Sequence, residues 1–417
     1  LQYKETNMVL KNLRINIERL VGRIEALAEI GSIEGGGVCR IALSDEDREG
    51  RDLVVYWMRE LGLKISIDKI GNVIGIREGS EAGAPVMTGS HIDTVATGGR
   101  YDGNLGVLAG LEVIQTLNDA SITTKKPIGV GFFTNEEGAR FTPDMMGSAV
   151  HQGVFNVDDM LDVVGVDGAR LGDELEKIGY AGEVEVGSFQ ADSFVELHIE
   201  QGPFLELEGY EIGAVESVQG ISWKEYRISG TANHAGTTPM HLRHDAGYVA
   251  AKISVEARRI AISMGGHQTA TVGVTELIPG LINVIAKGAL VTVDLRNTDE
   301  HKLQEAEATM LRFIEKICIE EAVTFECRTL VRFEPVNFDP EMVSMVARTA
   351  TNRGYKVKQM PSGAGHDAQM FASNCPTAMI FVPSVGGISH NAEEYTEPKH
   401  LHAGADVLLH VLLKKSL

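Results

Sequence analysis

Pro127-Ile128-Gly129-Val130-Gly131-Phe132-Phe133-Thr134 is apolar along almost its whole length, and Asn135-Glu136-Glu137 follows at once. A strand with one wet face alternates between polar and apolar residues. A strand without alternation is buried on both faces, as in the interior of a parallel sheet. Upstream, Pro85 to Ser90 reads as a second such strand and delivers His91 and Asp93 at its end, while Gly103 to Leu117 reads as a helix. Further upstream, helical periodicity runs from Ile15 to Ile30. Ser44 with Asp47 predicts an N-cap for a helix reaching Leu61, with Gly62 as its stop. Lys64 to Lys69 alternates, and Gly71-Asn72 reads as a turn into another strand. Strands alternating with helices predict an α/β domain with a largely parallel sheet. Chemistry gathers at the carboxyl ends of such strands, where His91 and the Glu136-Glu137 pair stand.

From about Gly213 the texture changes. Strands are expected at Trp223 to Gly230, Thr269 to Glu276, Ala289 to Arg296 and Ala322 to Val331, with helices at Asp245 to Met264 and Glu300 to Glu320. That is one βαββαβ unit, a split βαβ sandwich. Residues 1–212 and 332–417 then form one discontinuous domain, with residues 213–331 inserted.

Several classes are excluded by composition. The 417 residues are 43% hydrophobic and 23% charged, as in a globular protein with well-buried cores. No run approaches the length of apolar sequence a membrane span needs. The first residues, from Leu1, lack a secretory leader's basic head, apolar run and cleavage site. The formal charge of -20 argues against a nucleic-acid surface. Cys39, Cys318, Cys327 and Cys375 form no C-x-x-C pair and read as reduced thiols of a cytoplasmic protein.

Five stretches carry chemistry. His91 with Asp93 two residues on suits a metal ligand backed by a carboxylate, or a structural histidine in a turn. Asp102, just before a helix, reads as an N-cap or as a carboxylate bridging two cations. Glu136 and Glu137 divide naturally into one ligand and one free base, or lie solvated in a loop. Alternation puts Glu196, His198 and Glu200 on one side of an extended segment, either facing a cation or forming a polar edge. His390 lies in a glycine-rich loop after the apolar run Thr377 to Val382, as a ligand, a substrate contact or a surface histidine. Jointly these residues suit a pair of divalent cations of the zinc or manganese type. No helical H-E-x-x-H, no G-x-S-x-G elbow and no Walker motif is present.

Taken together, GSHIDT at Gly89, DGNLGVLAG at Asp102, NEEGARF at Asn135, ELHIEQGP at Glu196, ANHAGTTPM at Ala232, SGAGHDA at Ser362 and SHNAEEY at Ser389 resemble the M20-type metallopeptidase clan, and within it the hydantoinase/carbamoylase family. The resemblance covers essentially the whole chain. It implies a mixed-sheet α/β domain binding two metal ions (zinc or manganese, with cobalt or nickel as alternatives), interrupted by a ferredoxin-like lid and dimerisation domain. It implies His91 and His198 on one cation, Glu137 and His390 on the other, Asp102 between them, Glu136 as general base and Asp93 behind His91. It also implies His234 as an oxyanion donor, and Gln201, Asn283, Arg296 and His366 at the substrate. Arg296 has a fork suited to a carboxylate, or to a salt bridge within its own domain; a helix-starting loop accounts for His366 equally well. Two positions depart from the family pattern: Ala286 follows Asn283-Val284-Ile285 where proline is frequent, and Cys39 stands where threonine is frequent.

The activity implied is hydrolysis of the ureido C–N bond of an N-carbamoyl-L-amino acid, with allantoate or N-carbamoyl-β-alanine as alternatives. A dipeptidase or aminoacylase of the clan is a further alternative, as is a non-catalytic binding protein. A homodimer, no nucleic acid and no membrane are expected.

Overall fold

The computed structural model describes residues 12–188 and 190–417. The leader reading at Leu1 lies outside the described residues. Contacts divide the chain into one unit ending at Glu216 and resuming at Asn337, and a second from Ser217 to Val336.

The first unit is built on a nine-stranded sheet. Its strands are β1 (Lys64–Ile67), β2 (Val73–Arg77), β3 (Val86–Ser90), β4 (Ile128–Phe132), β5 (Ser193–Ile199), β6 (Ile212–Val218), β12 (Val336–Asn337), β13 (Val357–Ser362) and β14 (Thr377–Val382). The order is β1-β2-β4-β3-β5-β14-β6-β12, with β13 on β6. Only the centre is parallel: β4, β3, β5 and β14 run the same way, while β1, β2 and β6 pair antiparallel. The sheet is therefore mixed rather than largely parallel. Every residue of β3, β4, β5 and β14 is buried, which is why β4 and β14 are apolar on both faces, while β5 alternates from Val195 to Ile199 with both faces covered.

Helix boundaries follow local chemistry. In the helix Asp45–Glu60, the Ser44 side chain accepts from the Asp47 N–H, and Gly62 takes φ 75° just beyond the end. The helix Asn104–Asp119 lies against the sheet closely enough that a Cβ on Gly106 would come 2.5 Å from the Leu197 carbonyl oxygen. Alternation along β5 sends Leu197 toward Gly404 of the helix Pro398–Ser416. The opposite side carries Phe194, stacked at 4.0 Å on Phe371, together with Glu196 and His198.

The second unit has its own sheet: β7 (Gly220–Ser229), β8 (Thr269–Thr271), β9 (Thr275–Ile278), β10 (Gly288–Asn297) and β11 (Thr324–Phe333). The order is β11-β7-β10, with β8 and β9 both on β10, all antiparallel. The helices Ala246–Met264 and Glu300–Glu321 contribute Val249, Ile253, Ile260, Leu303, Met310 and Ile314 to one apolar core with the sheet. β10 alternates strictly between buried and half-buried residues, as expected of a strand with one covered face. The expected strand Thr269 to Glu276 is broken into β8 and β9. At the break, the Val274 N–H turns to the Thr292 hydroxyl at 3.0 Å instead of continuing the ladder.

Candidate metal centre

Four parallel strands deliver the site. His91 follows β3, Asn135-Glu136-Glu137 follows β4, His198 sits at the end of β5 and His390 lies in the loop after β14. Asp102 precedes the helix Asn104–Asp119. Its side chain does not cap that helix, whose N-cap is Gly103 with no side-chain hydrogen bond.

The carboxylate of Asp102 divides its two oxygens. Oδ1 lies 3.5 Å from His91 Nε2 and 3.1 Å from His198 Nε2. Oδ2 lies 3.5 Å from His390 Nε2, which is 3.2 Å from Glu137 Oε2. Two ligands on one tetrahedral cation, each about 2.1 Å from it, stand about 3.4 Å apart. His91, Asp102 and His198 could therefore hold one metal ion and Asp102, Glu137 and His390 another, each group with donor atoms within 4.8 Å of one another.

Ring orientation supports the same reading. His91 Nδ1 lies 2.9 Å from the Asp93 carbonyl and His198 Nδ1 lies 2.8 Å from the Ile199 carbonyl. A carbonyl only accepts, so each Nδ1 carries the proton and each Nε2 presents a lone pair toward Asp102. The Gly103 N–H donates to His198 Nε2 at 3.1 Å, which marks that nitrogen as an acceptor. Lone pairs converging on a carboxylate oxygen require a cation or extra protons between them. This donor set of nitrogen and oxygen fits divalent zinc or manganese.

The electrostatics are those of a crowded acidic pocket. Burial pushes Asp102 up, but when extra protons on His198, His390 and His91 take the place of a cation, their hydrogen bonds outweigh it and hold the carboxyl well below the usual range. Burial opposes charge on His91, yet Glu136 and Asp102 beside it raise it well above the ordinary value. Contacts with Asp102 and Glu137 raise His390 to about 10. Burial raises Glu136 well above the ordinary carboxylate value, against the pull of His91 3.3 Å from its Oε2.

Asp93 works differently from the sequence expectation. Its main-chain carbonyl, not its carboxylate, holds His91 Nδ1; the nearer carboxylate oxygen is 3.9 Å away. The carboxylate instead accepts the N–H groups of Glu136 and Glu137, at 3.3 Å each, so it fixes the loop carrying both glutamates. Of the three residues on one side of β5, only His198 faces Asp102. Glu196 accepts from the Ser90 hydroxyl at 2.6 Å and the Ala368 N–H at 2.7 Å, and Glu200 caps the short helix at Phe204 and Leu205.

The remaining expected residues fall in two groups. Gln201, at φ 57°, donates from Nε2 to Asp102 Oδ2 at 2.7 Å, while its Oε1 has no hydrogen-bond partner among the described residues. His366 is buried edge-on to His198 at 4.5 Å and bonded to the Ser362 hydroxyl at 2.9 Å; burial and the neighbouring His198 keep it neutral. His234, Asn283 and Arg296 belong to the second unit. His234 Nδ1 accepts the N–H groups of Gly236 and Thr237, which leaves the ring proton on an exposed Nε2. Asn283 stands beside it, its carbonyl accepting the Ala235 N–H at 3.0 Å. Arg296 binds Asp294 of its own strand, with Nη2 2.9 Å from Oδ2.

Sequence reasoning did not single out Glu394 as a site residue. It accepts the N–H groups of Tyr101 and Asp102 and, at 2.9 Å, the Ser389 hydroxyl, tying the Asp102 loop to the His390 loop. A glutamate in a polar loop gives no pattern from which this could be read. Asn135, Gln201 and His390 all adopt positive φ, so non-glycine strain clusters around the centre.

Residues 87–414 match the description "Peptidase family M20/M25/M40". The chain belongs to peptidase family M20/M25/M40. Within this M20 family it stands among the hydantoinase/carbamoylase amidases. It is similar to an N-carbamoyl-L-amino-acid amidohydrolase of Rhizobium meliloti, 41% identical with 97% of each chain covered. It is similar to an allantoate amidohydrolase of Bacillus subtilis, 34% identical over 94% of this chain and 96% of that one. A crystal structure of a hydantoinase/carbamoylase family amidase from Burkholderia vietnamiensis, 41% identical, superposes with a TM-score of 0.92 and covers 97% of this chain and 98% of that one. Among the described residues no helix is long and apolar enough to cross a membrane.

Proposed function

We propose that this M20 protein hydrolyses the ureido C–N bond of an N-carbamoyl-L-amino acid, releasing the free amino acid, carbon dioxide and ammonia. The observation that carries the reading is the division of Asp102 between His91 with His198 and His390 with Glu137, while Glu136 lies alongside His91. The name of the Rhizobium meliloti relative supports the substrate class. The ligand set would hold two divalent cations, zinc or manganese, with cobalt or nickel as alternatives. When bound, they supply Lewis acidity that polarises the ureido carbonyl and acidifies water.

Glu136 takes the proton from the attacking water and returns it to the amino-acid nitrogen as the C–N bond breaks. Its buried, raised carboxyl suits both roles. Asp93 holds the Glu136 N–H and so aims the base. Gln201 offers its unpartnered Oε1 to a ureido N–H while its amide nitrogen stays on Asp102. His234, with its proton on Nε2, is the donor for the oxyanion. Asn283 and Arg296 bind the substrate carboxylate, with Arg296 exchanging Asp294 for it. His366 lines the site from behind His198.

The Ser217–Val336 unit is the ferredoxin-like lid and dimerisation domain. Its strands, counted in order along the unit with β8 and β9 as one, lie fourth-first-third-second, as in a split βαβ sandwich. Tyr248, Val255 and Ile262 recur every seven residues on its first helix, and all are exposed. An apolar stripe of this kind suits a homodimer contact. A cytoplasmic location belongs to the same reading, supported by Cys39, Cys318, Cys327 and Cys375, none of which forms a disulfide.

The test is ammonia release by metal-reconstituted protein offered an N-carbamoyl-L-amino acid, N-carbamoyl-β-alanine, allantoate and a dipeptide. The reading expects the highest kcat/KM on the first. Turnover of the dipeptide or allantoate alone would sink it.

A further inference from the structure

Arg40 is fully buried, and sequence gives no reason to connect it with the metal centre. Its Nε donates to the Ile92 carbonyl at 2.8 Å, midway between His91 and Asp93. Its Nη2 donates to Asn104 Oδ1 at 2.8 Å, two residues beyond Asp102. Its Nη1 donates to the Leu27 and Ile30 carbonyls, both at 2.9 Å, at the end of the helix Ile17–Ala28. The main chain adds two more ties: the Arg40 N–H reaches the Thr94 hydroxyl at 2.8 Å and the Thr94 N–H reaches the Arg40 carbonyl at 2.9 Å. Behind the stem, a Cβ on Gly50 would lie 2.7 Å from Arg40 Cδ, so the side chain has little room to adjust.

All four acceptors of the guanidinium are uncharged. A buried cation costs free energy without a carboxylate partner, and a buried apolar residue would avoid that cost. Yet uncharged acceptors have one consequence that a salt bridge would not. They leave the carboxylates of Asp93 and Asp102 uncommitted, one to hold the Glu136-Glu137 loop and the other to face the histidines. Lysine could not replace this, because its three donors all leave one nitrogen, whereas these acceptors are shared among Nε, Nη1 and Nη2.

We propose that Arg40 is a positioning residue for the metal centre: its guanidinium fixes the distance between the His91 loop and the Asp102 loop, and Asn104 is the receiving end of that tie. The inference rests on the reading of the centre as a cation site. It adds a residue outside the ligand set whose loss weakens the grip on the metal without removing a ligand.

The experiment measures divalent-metal affinity of the full chain by chelator competition with zinc and with manganese. It is run on the wild type, Asn104→Ala, Asn104→Asp and Arg40→Met, alongside thermal denaturation of each metal-free protein. Removing a partner behind a ligand costs about 10- to 100-fold in affinity. That loss is expected for Asn104→Ala and for Arg40→Met, and a double variant carrying both Asn104→Ala and Arg40→Met, measured with the others, should lose no more than Arg40→Met alone. Asn104→Asp keeps the acceptor and should return close to the wild-type affinity. If Arg40→Met does not fold, the Asn104 pair decides. Wild-type affinity in Asn104→Ala, with only a lower metal-free Tm, would make the tie structural and overturn the proposal. A wild type that binds neither metal would overturn the cation site itself, which is a separate result.

Discussion

Gly103→Ala attacks the centre without replacing a ligand. A Cβ at this position would lie 2.5 Å from Cε1, Nδ1 and Nε2 of His91, and the residue sits at φ 64°. Carbon does not approach carbon or nitrogen closer than about 3.5 Å at rest, so the imidazole must move by about 1 Å. Metal–ligand distances tolerate about 0.2 Å. The ring therefore leaves its place opposite Asp102 Oδ1, and the His91–His198 triplet loses a ligand. The backbone conformation itself costs about 1–3 kcal/mol for a residue with a Cβ. The metal-free protein should melt a few degrees lower, at about 2–4 °C per kcal/mol for a large domain. Metal affinity should fall by more than the roughly 10- to 100-fold typical of losing a partner behind a ligand, and kcat should fall with it. Isothermal titration with zinc and initial rates at saturating metal measure both. Wild-type affinity and rate in a folded Gly103→Ala protein would refute the placement of His91.

Two other outcomes follow from the same geometry. Glu136→Gln keeps the ligand triplets intact, so metal content should stay at the wild-type level while kcat drops about 10²- to 10⁴-fold, the usual contribution of a general base; equal loss of metal and activity would make Glu136 a ligand instead. Asp367 is buried, and burial with the nearby Glu196 pushes its carboxyl from 3.8 up to about 8. A folded-state value raised above the unfolded one contributes stability that is full below about pH 4 and lost as pH rises through about 8. Asp367→Asn removes that loss, so in metal-free protein its Tm should gain on the wild type steadily from pH 5 to pH 8.5. A Tm difference independent of pH would contradict the buried, neutral carboxyl.

Much of the α/β architecture is readable in sequence because its central strands are buried on both faces. Ile128–Phe132 and Thr377–Val382 do not alternate, and Ser44 with Asp47 sets a helix start through one hydrogen bond. Strand direction is not readable in this way. β2 and β4 pair antiparallel and β3 and β4 parallel, but both partners of β4 are short apolar runs. Nor could the pattern show that Thr269 to Glu276 breaks, since the break depends on the Thr292 hydroxyl across the ladder. At the site, the motifs bring out the side chains that converge on Asp102, because a histidine or acid at the end of a buried strand is conspicuous. What each neighbour does is set by tertiary contacts. Asp93 offers both a carbonyl and a carboxylate, and only the fold decides which meets His91. Glu200 sits two residues from His198 yet serves a helix end. Arg40 and Glu394 act through partners distant in sequence, which no local pattern encodes.

The division of Asp102 between two cations is tested most directly by anomalous diffraction from crystals of the zinc- or manganese-loaded protein. Two peaks per chain are expected, one among His91 Nε2, His198 Nε2 and Asp102 Oδ1, the other among Glu137, His390 and Asp102 Oδ2, with Glu136 bound to neither. A single peak, or peaks that Asp102 does not touch, would contradict it.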